Sequence, residues 1–435
     1  MKNLNIFRKH YLLMILSVFA FQMLSSQFII DAEVRPRYEY RHGFHSLMPD
    51  SVDPASFISQ RTRLNVFFNK EKVKVYVSLQ DVRVWGDVSQ LNRSDVNGLA
   101  IHQAWGQFGI GRKFAIKAGR QELIYDDHRM FGSVGWAQQA RSHDALLAKY
   151  FYEKWSFDLG IAYNQNGPST TGNTYTVPRN YKAMQYLWGN YKGEKVKVSL
   201  LVLNNGLQYV HLDSPDSNET RYSQTFGTHI KARVIKLIDL SGNLYYTGGK
   251  DVSDRSLSAF EVALDLNFKP EDAKWSAGIG FEMLSGNDLT GNDADKNKAF
   301  TPFYGTNHKF NGFMDYFYVG NHIGSVGLVD IYIRGGIDVG KSKFLLFVHN
   351  FSSQGKMNLS STETKSSQLG TELDFVYVYK FDKTMNIKVG YSQMFASESM
   401  GYLKSGNYEN TNNWAWVMFT FKPQLFKHEY PILPE

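Results

Sequence analysis

The 435-residue sequence predicts an all-β chain folded as a transmembrane antiparallel β-barrel. The expected barrel has about 18 strands, with short periplasmic turns and long extracellular loops. Three observations predict it. Apolar and polar residues alternate with a period of two in run after run, and the connections between runs alternate between short and long. After the N-terminus no apolar segment reaches the ~20 residues a spanning helix needs, yet aromatic residues make up 15% of the chain.

Residues 1–26 are of another kind. Lys2, Arg8 and Lys9 form a basic start, Tyr11 to Leu24 is apolar, and Ser25 and Ser26 are small. That is the pattern of a secretory signal peptide. It leaves 27–422 for the barrel and 423–435 as a C-terminal tail. The absence of cysteine excludes disulfides, thiolate metal sites and a cysteine-linked lipid anchor. The formal charge of +7 falls to +4 without the three N-terminal cations, too mild a bias to suggest nucleic acid. The 11 prolines and 36 glycines are scattered, and no linker or charge block divides the chain.

The first strand is Ile30 to Arg41. Asp31, Glu33, Arg35, Arg37, Glu39 and Arg41 form one face, and Ile30, Ala32, Val34, Pro36, Tyr38 and Tyr40 the other. Pro36 removes a ladder hydrogen bond, which predicts a bulge. From Phe57 to Asn69, Arg61, Arg63 and Asn65 oppose Thr62, Leu64, Val66 and Phe68. Val73 to Leu79 continues the apolar face. Asp81 and Arg83 would then face lipid, so a bulge near Gln80 is expected to return both to the lumen. His102 to Ile110 turns Gln103, Trp105 and Gln107 inward. Further runs lie at Trp155–Tyr163, Val196–Val202, Phe226–Val234, Phe260–Leu266, Trp275–Met283, Leu373–Tyr379 and Met385–Tyr391, and Trp414–Lys422 ends the series. The expected lipid face includes Val34, Leu64, Val66, Ile161 and Val262.

Short connections are expected at 69–72, 111–113, 192–194, 236–237, 269–273, 338–341 and 381–384. Long ones fall between them at 42–56, 86–99, 123–142, 166–181, 206–219, 286–326, 355–366 and 397–411. An even strand number puts both termini in the periplasm, with the barrel in the bacterial outer membrane.

Two loops stand out. Ala118 to Tyr150 sets Arg120, Arg129 and Arg141 against Asp126, Asp127 and Asp144, beside His128 and Trp136. Charges of both signs at this density suit a loop folded into a polar lumen. Phe300 to Gly320 holds eight aromatic residues with His308, Lys309 and Asp315, a composition for packing into the barrel mouth rather than for a solvated loop. Both loops are expected to narrow the pore.

Several ordered pieces carry a resemblance. They are Arg61-Thr-Arg63, Gln80-Asp-Val-Arg83, His102-Gln-Ala-Trp105, Gly119-Arg-Gln121, Asp127 with Arg129, Trp136 with Arg141 and Asp144, and Phe303 to His308 through Gly312 and Asp315. Together they resemble the alginate-export family of outer-membrane barrels. Trp105 stands where that family suggests tyrosine, and the tail after Lys422 is a second departure. The resemblance implies an 18-stranded barrel with an electropositive, arginine-lined pore for an acidic polysaccharide.

A channel needs no nucleophile. It needs lumen charge and weak sites in series. The inward candidates are Arg35, Arg37, Arg61, Arg63, Arg83, Arg120, Arg129, Arg141, Lys231, Arg233 and Arg334, whose guanidinium forks match uronate carboxylates. Asp81, Asp127 and Asp144 would hold some of them in place, with His308 and Asp315 completing the set. The expected partners are an anionic glycan solute, outer-membrane lipid, and export or uptake proteins docking on the periplasmic turns. No cofactor is expected. A general anion-selective porin for small solutes and an adhesive barrel are the alternatives. An outer-membrane lipase-type enzyme would need a Ser–His–carboxylate set, and no Gly-x-Ser-x-Gly occurs. No HExxH occurs, Asp126-Asp127-His128 is too local for a metal site, and Asp288, Asp293 and Asp295 would hold Ca²⁺ only adventitiously.

Overall fold

A computed structural model describes residues 26–91, 94–96, 98–178, 180–209, 211, 218–291, 294–318 and 320–430. The expected signal segment up to residue 25, Asp293 and residues 431–435 lie outside them.

The chain runs through β1 (Ser26–His42), β2 (Ala55–Lys70), β3 (Val73–Val84), β4 (Ala100–Ile110), β5 (Phe114–Gln121), β6 (His143–Tyr152) and β7 (Trp155–Tyr163). It continues through β8 (Ala183–Lys192), β9 (Val196–Tyr209), β10 (Glu219–Ile235), β11 (Ile238–Lys250), β12 (Ser256–Phe268) and β13 (Trp275–Leu284). A minimal β14 (Lys296–Asn297) follows, then β15 (Leu328–Val339), β16 (Ser342–Ser352), β17 (Gln368–Lys380), β18 (Met385–Ala396), the helix α1 (Glu398–Lys404), β19 (Asn412–Phe421) and β20 (Gln424–Tyr430). Apart from β14, each strand up to β19 pairs antiparallel with the next in the sequence, β13 passing directly to β15.

β1 closes the cylinder. It pairs with β19 from His42↔Asn413 down to Val34↔Phe421, and with β20 from Asp31↔Gln424 to Ser26↔Tyr430. β19 and β20 are therefore one strand interrupted at Lys422–Pro423. Proline has no N–H to give the ladder, and the Pro423 carbonyl still accepts the Ala32 amide at 3.1 Å. The result is a closed barrel of 18 antiparallel strands. The segment set apart as a tail completes its last strand.

Burial on this barrel is inverted relative to a soluble sandwich. Inward Arg35 and Glu39 are 7% and 0% exposed, while outward Leu64, Ile161 and Leu264 are 40%, 47% and 46% exposed. Apolar side chains on the outside of a closed sheet can be satisfied only by lipid, and closure leaves no backbone edge in the hydrocarbon. Val34, Val66 and Val262 share that outer face. Single cysteines introduced at Arg63 and Leu64 into this cysteine-free chain should therefore differ: a lumen-restricted thiol reagent should label position 63 and spare 64. Equal labelling would contradict the register.

Two local expectations are corrected. No bulge forms at Pro36, because the β1–β2 ladder runs from Gln27↔Asn69 to Arg41↔Ala55 without a shift. Nor does β3 slip at Gln80. Its ladder with β2 is also unbroken, so Thr62↔Asp81 and Gln60↔Arg83 share the outer face with Leu64. The irregularity lies across the next ladder, where Ser78↔Gln103 gives way to Leu79↔Ile101. His102 is the extra residue. It turns inward, with Nε2 2.8 Å from Glu122 Oε1. Asp81 and Arg83 form an ion pair on the outer wall near the extracellular rim and do not line the pore.

The alternation of connections is as expected, with two additions: a turn at 153–154 and a tight connection at 251–255. The first is hidden in an unbroken aromatic-rich run, and its backbone reverses at Glu153 with φ 52°. The second is closed by Asp251, whose Oδ1 accepts the amides of Ser253 and Arg255 at 2.9 Å.

Candidate functional site

The core of this protein lies inside the cylinder. The loop 122–142 after β5 and residues 299–318 of the connection after β13 both fold inward and meet. Phe131 and Tyr304 form a parallel bridge. The Gly132 amide donates to Tyr304 O, and the Thr306 amide to His128 O, each at 2.9 Å. Phe131, Met314, Tyr316 and Phe317 are buried against inward side chains such as Tyr186 of β8, Leu203 of β9 and Trp414 of β19. The aromatic-rich stretch is thus half of a plug.

One side of the plug is held by arginines of β1 and β2. Arg35 donates to Gly135 O at 2.7 Å, Trp136 O at 3.1 Å and Gln138 Oε1 at 2.8 Å. Arg37 donates to Trp136 O at 2.8 Å and lies 4.2 Å from the Trp136 ring centre. Arg61 reaches the carbonyls of Gly135 and Gln138 at 3.4 Å while bonded to Glu33. Arg63 instead donates to Gln80 at 2.7 Å. The opposite side is held by carboxylates. Arg129, 2% exposed, sits 2.7 Å from Glu282 and 3.4 Å from Glu261. Burial works against its charge, and the two carboxylates more than compensate, raising its pKa. Asn311 donates to Glu282 at 2.6 Å and Asp330 at 3.2 Å, and the Met314 amide donates to Glu372 at 2.8 Å. Gly312 is required there: its φ is +81°, and a Cβ would lie 2.6 Å from the Glu372 carboxylate.

The other candidate residues fall into place around this. Asp127 accepts the Arg129 amide at 3.0 Å and Asn243 at 2.8 Å. Arg141 ties the loops together through Gly305 O at 3.1 Å. His308 bonds Asp315 at 3.0 Å and stacks on Trp136 with ring centres 4.4 Å apart. Arg334 lines the lumen wall, its Nη2 2.6 Å from Asp265 Oδ1. Arg120 and Asp144 do not line the lumen. They pair with each other at 3.0 Å in register with outward Ala104, about half exposed on the outer wall. Between the plug and the β1–β3 wall remains a groove of about 610 Å³, lined by Arg37, Glu39, Arg41, Trp136, His308 and Asp315 among others. The acidic wall of Glu261, Glu282, Asp330, Glu372 and Asp374 was not foreseen as a unit. Its signal is one or two acids at the inward positions of runs whose other face is apolar, as with Glu372 and Asp374 on β17.

The helix α1 lies over this assembly. Lys404, 8% exposed, donates to Asn321 O at 2.9 Å. Burial pushes its pKa down to about 7. The unfolded chain, with lysine near ~10.4, binds a proton that the folded state releases between those values. Stability should therefore rise with pH from about 7 to 10. Thermal melts of Lys404→Met should be flatter over that range than wild type, and identical slopes would contradict the burial.

A family model described as "Alginate export" matches residues 26–413. Among solved structures, Acinetobacter baumannii OccAB4 is similar with TM-score 0.62 and 11% identity, over 93% of this chain and 99% of that one. Pseudomonas aeruginosa OccD3 (OpdP) gives 0.60 and 13%, over 92% of each chain, and Pseudomonas aeruginosa OpdL gives 0.59 and 12%, over 92% and 99%. At these identities the likeness is one of fold. No curated protein matches. The closed barrel with its lipid-facing exterior, together with a family match over nearly the whole described chain, means that this protein belongs to the alginate-export family of bacterial outer-membrane β-barrels.

Proposed function

We propose that this outer-membrane channel conducts an anionic polysaccharide or oligosaccharide past an arginine-lined wall, with the plug occupying the solute path at rest. One observation carries the reading. Arg35, Arg37 and Arg61 converge from two neighbouring strands on the backbone oxygens of residues 135–138. Groups arranged to receive plug oxygens are arranged to receive carboxylate oxygens, which they bind more strongly. Displacement of 135–138 would then open a run of weak sites continuing to Arg63 and Arg334, as passage of a polyanion requires.

The periplasmic rim supports entry of the polyanion from that side. Exposed Lys72, Lys113, Lys154, Lys195, Lys236 and Lys341 sit on its short turns. The same rim is where we place an export partner. A general anion-selective porin for small solutes is the second reading, favoured by a groove of only about 610 Å³ beside the plug.

Block of the single-channel current by uronate oligomers separates the two. Arg41 lies in the groove with its side chain 31% exposed. Arg41→Ala should weaken the block about tenfold, the worth of one charge-assisted hydrogen bond. Arg120→Ala, on the outer wall, should leave it unchanged. Absence of block, or indifference to Arg41→Ala, would overturn the glycan reading.

A further inference from the structure

On the periplasmic side of the plug, the inner wall from β2 to β5 carries a patch of rings that the core does not use. Phe67 shares the inward face of Arg61 and Arg63. The ladder carries that face across, with Phe67↔Tyr76, Tyr76↔Trp105 and Trp105↔Gly119. Ring centres are 6.4 Å apart between Phe67 and Tyr76 and 5.7 Å apart between Tyr76 and Trp105. All three side chains are half-buried, and none belongs to the hydrophobic core that the plug forms with the wall. Nor do they anchor the barrel in lipid. The aromatic residues of these strands that face lipid are Phe68, Phe108 and Phe114, of the opposite parity.

The next inward row towards the periplasm is Lys74↔Gln107 and Gln107↔Lys117. Lys74 and Lys117 form no ion pair among the described residues. Nearby acids have other partners: Asp31 accepts Asn65 at 2.7 Å, Glu122 lies 2.8 Å from His102, and Asp158 pairs with Lys149. Lys117 Nζ instead lies 3.9 Å from the Trp105 ring centre. The indole is fixed in place. Gln103 Oε1 accepts its Nε1–H at 3.2 Å and the Glu122 amide at 3.1 Å, which ties the ring to the start of the plug loop. Across the ladder, Gly119 at φ 118° leaves the neighbouring stretch of wall bare. A pyranose has an apolar C–H face and a polar rim, and fixed rings flanked by cations and an amide answer both.

We infer that Phe67, Tyr76 and Trp105 form a stacking platform for the sugar rings of an acidic glycan in the periplasmic half of the lumen. Lys74 and Lys117 receive its carboxylates and Gln107 its hydroxyls. The inference rests on the anionic-glycan reading above and adds how the channel tells a glycan from a small anion, which has no ring face to stack. A solute carboxylate draws Lys117 off the indole, because a charge-assisted hydrogen bond is stronger than a cation–π contact at a solvated site. The ring face is then free for the sugar.

Isothermal titration of the full-length protein in detergent micelles tests it, with a uronate hexamer, its carboxyl-reduced neutral counterpart and acetate as probes. Trp105→Ala and Tyr76→Ala should each weaken binding of the uronate hexamer at least about threefold, and Trp105→Phe should keep most of it. Lys74→Ser with Lys117→Ser should weaken binding of the uronate hexamer and leave that of the neutral hexamer unchanged. Heat-modifiable gel mobility establishes that each variant is a folded barrel. Unchanged uronate affinity in folded Trp105→Ala and Tyr76→Ala would overturn the platform and leave the arginine-lined wall standing, because that wall is read out by Arg41→Ala. Acetate binding weakened as much as uronate binding by Trp105→Ala would also overturn it, since acetate has no ring to stack. No binding of the uronate hexamer by the wild type would overturn the platform and the glycan reading together.

Discussion

Replacing residues 129–139 with a short Gly/Ser linker should raise single-channel conductance at least about two-fold, since an 18-stranded barrel encloses an aqueous lumen unless loops fill it. The replacement removes Phe131 from the core and the carbonyls of 135–138 from Arg35, Arg37 and Arg61. The strand ladder does not depend on these residues, so the barrel should still form. A second change should accompany the first. Glu261, Glu282, Asp330, Glu372 and Asp374 are at most 5% exposed beneath the plug. Disturbing the plug admits water and ions to them, so the enlarged channel should be less anion-selective than the intact one. Unchanged conductance in a folded variant would contradict the inward packing, and a wider pore with undiminished anion preference would contradict the acidic wall.

Arg129→Ala should be the most costly single substitution in the lumen. It leaves Glu282 and Glu261 buried without their guanidinium and removes the bond to Asn311. Breaking a buried pair from one side typically costs about 3–5 kcal/mol. Arg120→Ala breaks an exposed pair on the outer wall and should cost about 0–1 kcal/mol. Urea unfolding of the two variants in the same micelle gives the comparison. Adding Glu282→Gln to Arg129→Ala should recover part of the loss, because the stranded charge is removed. Equal midpoints for Arg129→Ala and Arg120→Ala would show that the plug is not anchored through Arg129.

Much of this architecture is legible in the sequence because a barrel wall imposes a period of two on every strand. That parity alone puts Arg35, Arg37, Arg61 and Arg63 on the inner face, where they meet residues 135–138 and Gln80. The inward course of the two loops was legible in their composition: solvated loops have no use for Phe131, Tyr304 and Tyr316. What failed was parity wherever a run was assumed to slip or to continue through a loop. A one-residue difference moves a side chain to the other face. β3 keeps its parity through Gln80, which leaves Asp81 and Arg83 outside, and the inserted residue is His102 on β4. Arg120 and Asp144 were read with the loop between them, although both belong to strands and follow outward Ile116 and Leu146. The role of the arginines was harder still to read. Their partners in the folded state are backbone carbonyls about a hundred residues away, and such a contact leaves no trace in side-chain identity. Pro423 misled in the opposite sense: it marks a gap in one ladder, not the end of the barrel.

Solutes in the intact channel should meet net positive charge. Glu261, Glu282, Asp330, Glu372 and Asp374 are buried under the plug, while inward Lys197, Lys231 and Lys343 remain exposed to water. Low-dielectric walls focus that field along the axis. The most direct test is the reversal potential of the intact protein in a planar bilayer under a KCl gradient. The expected sign is that of chloride preference, diminishing as ionic strength rises and screening sets in. A reversal potential of the sign for potassium preference would contradict it.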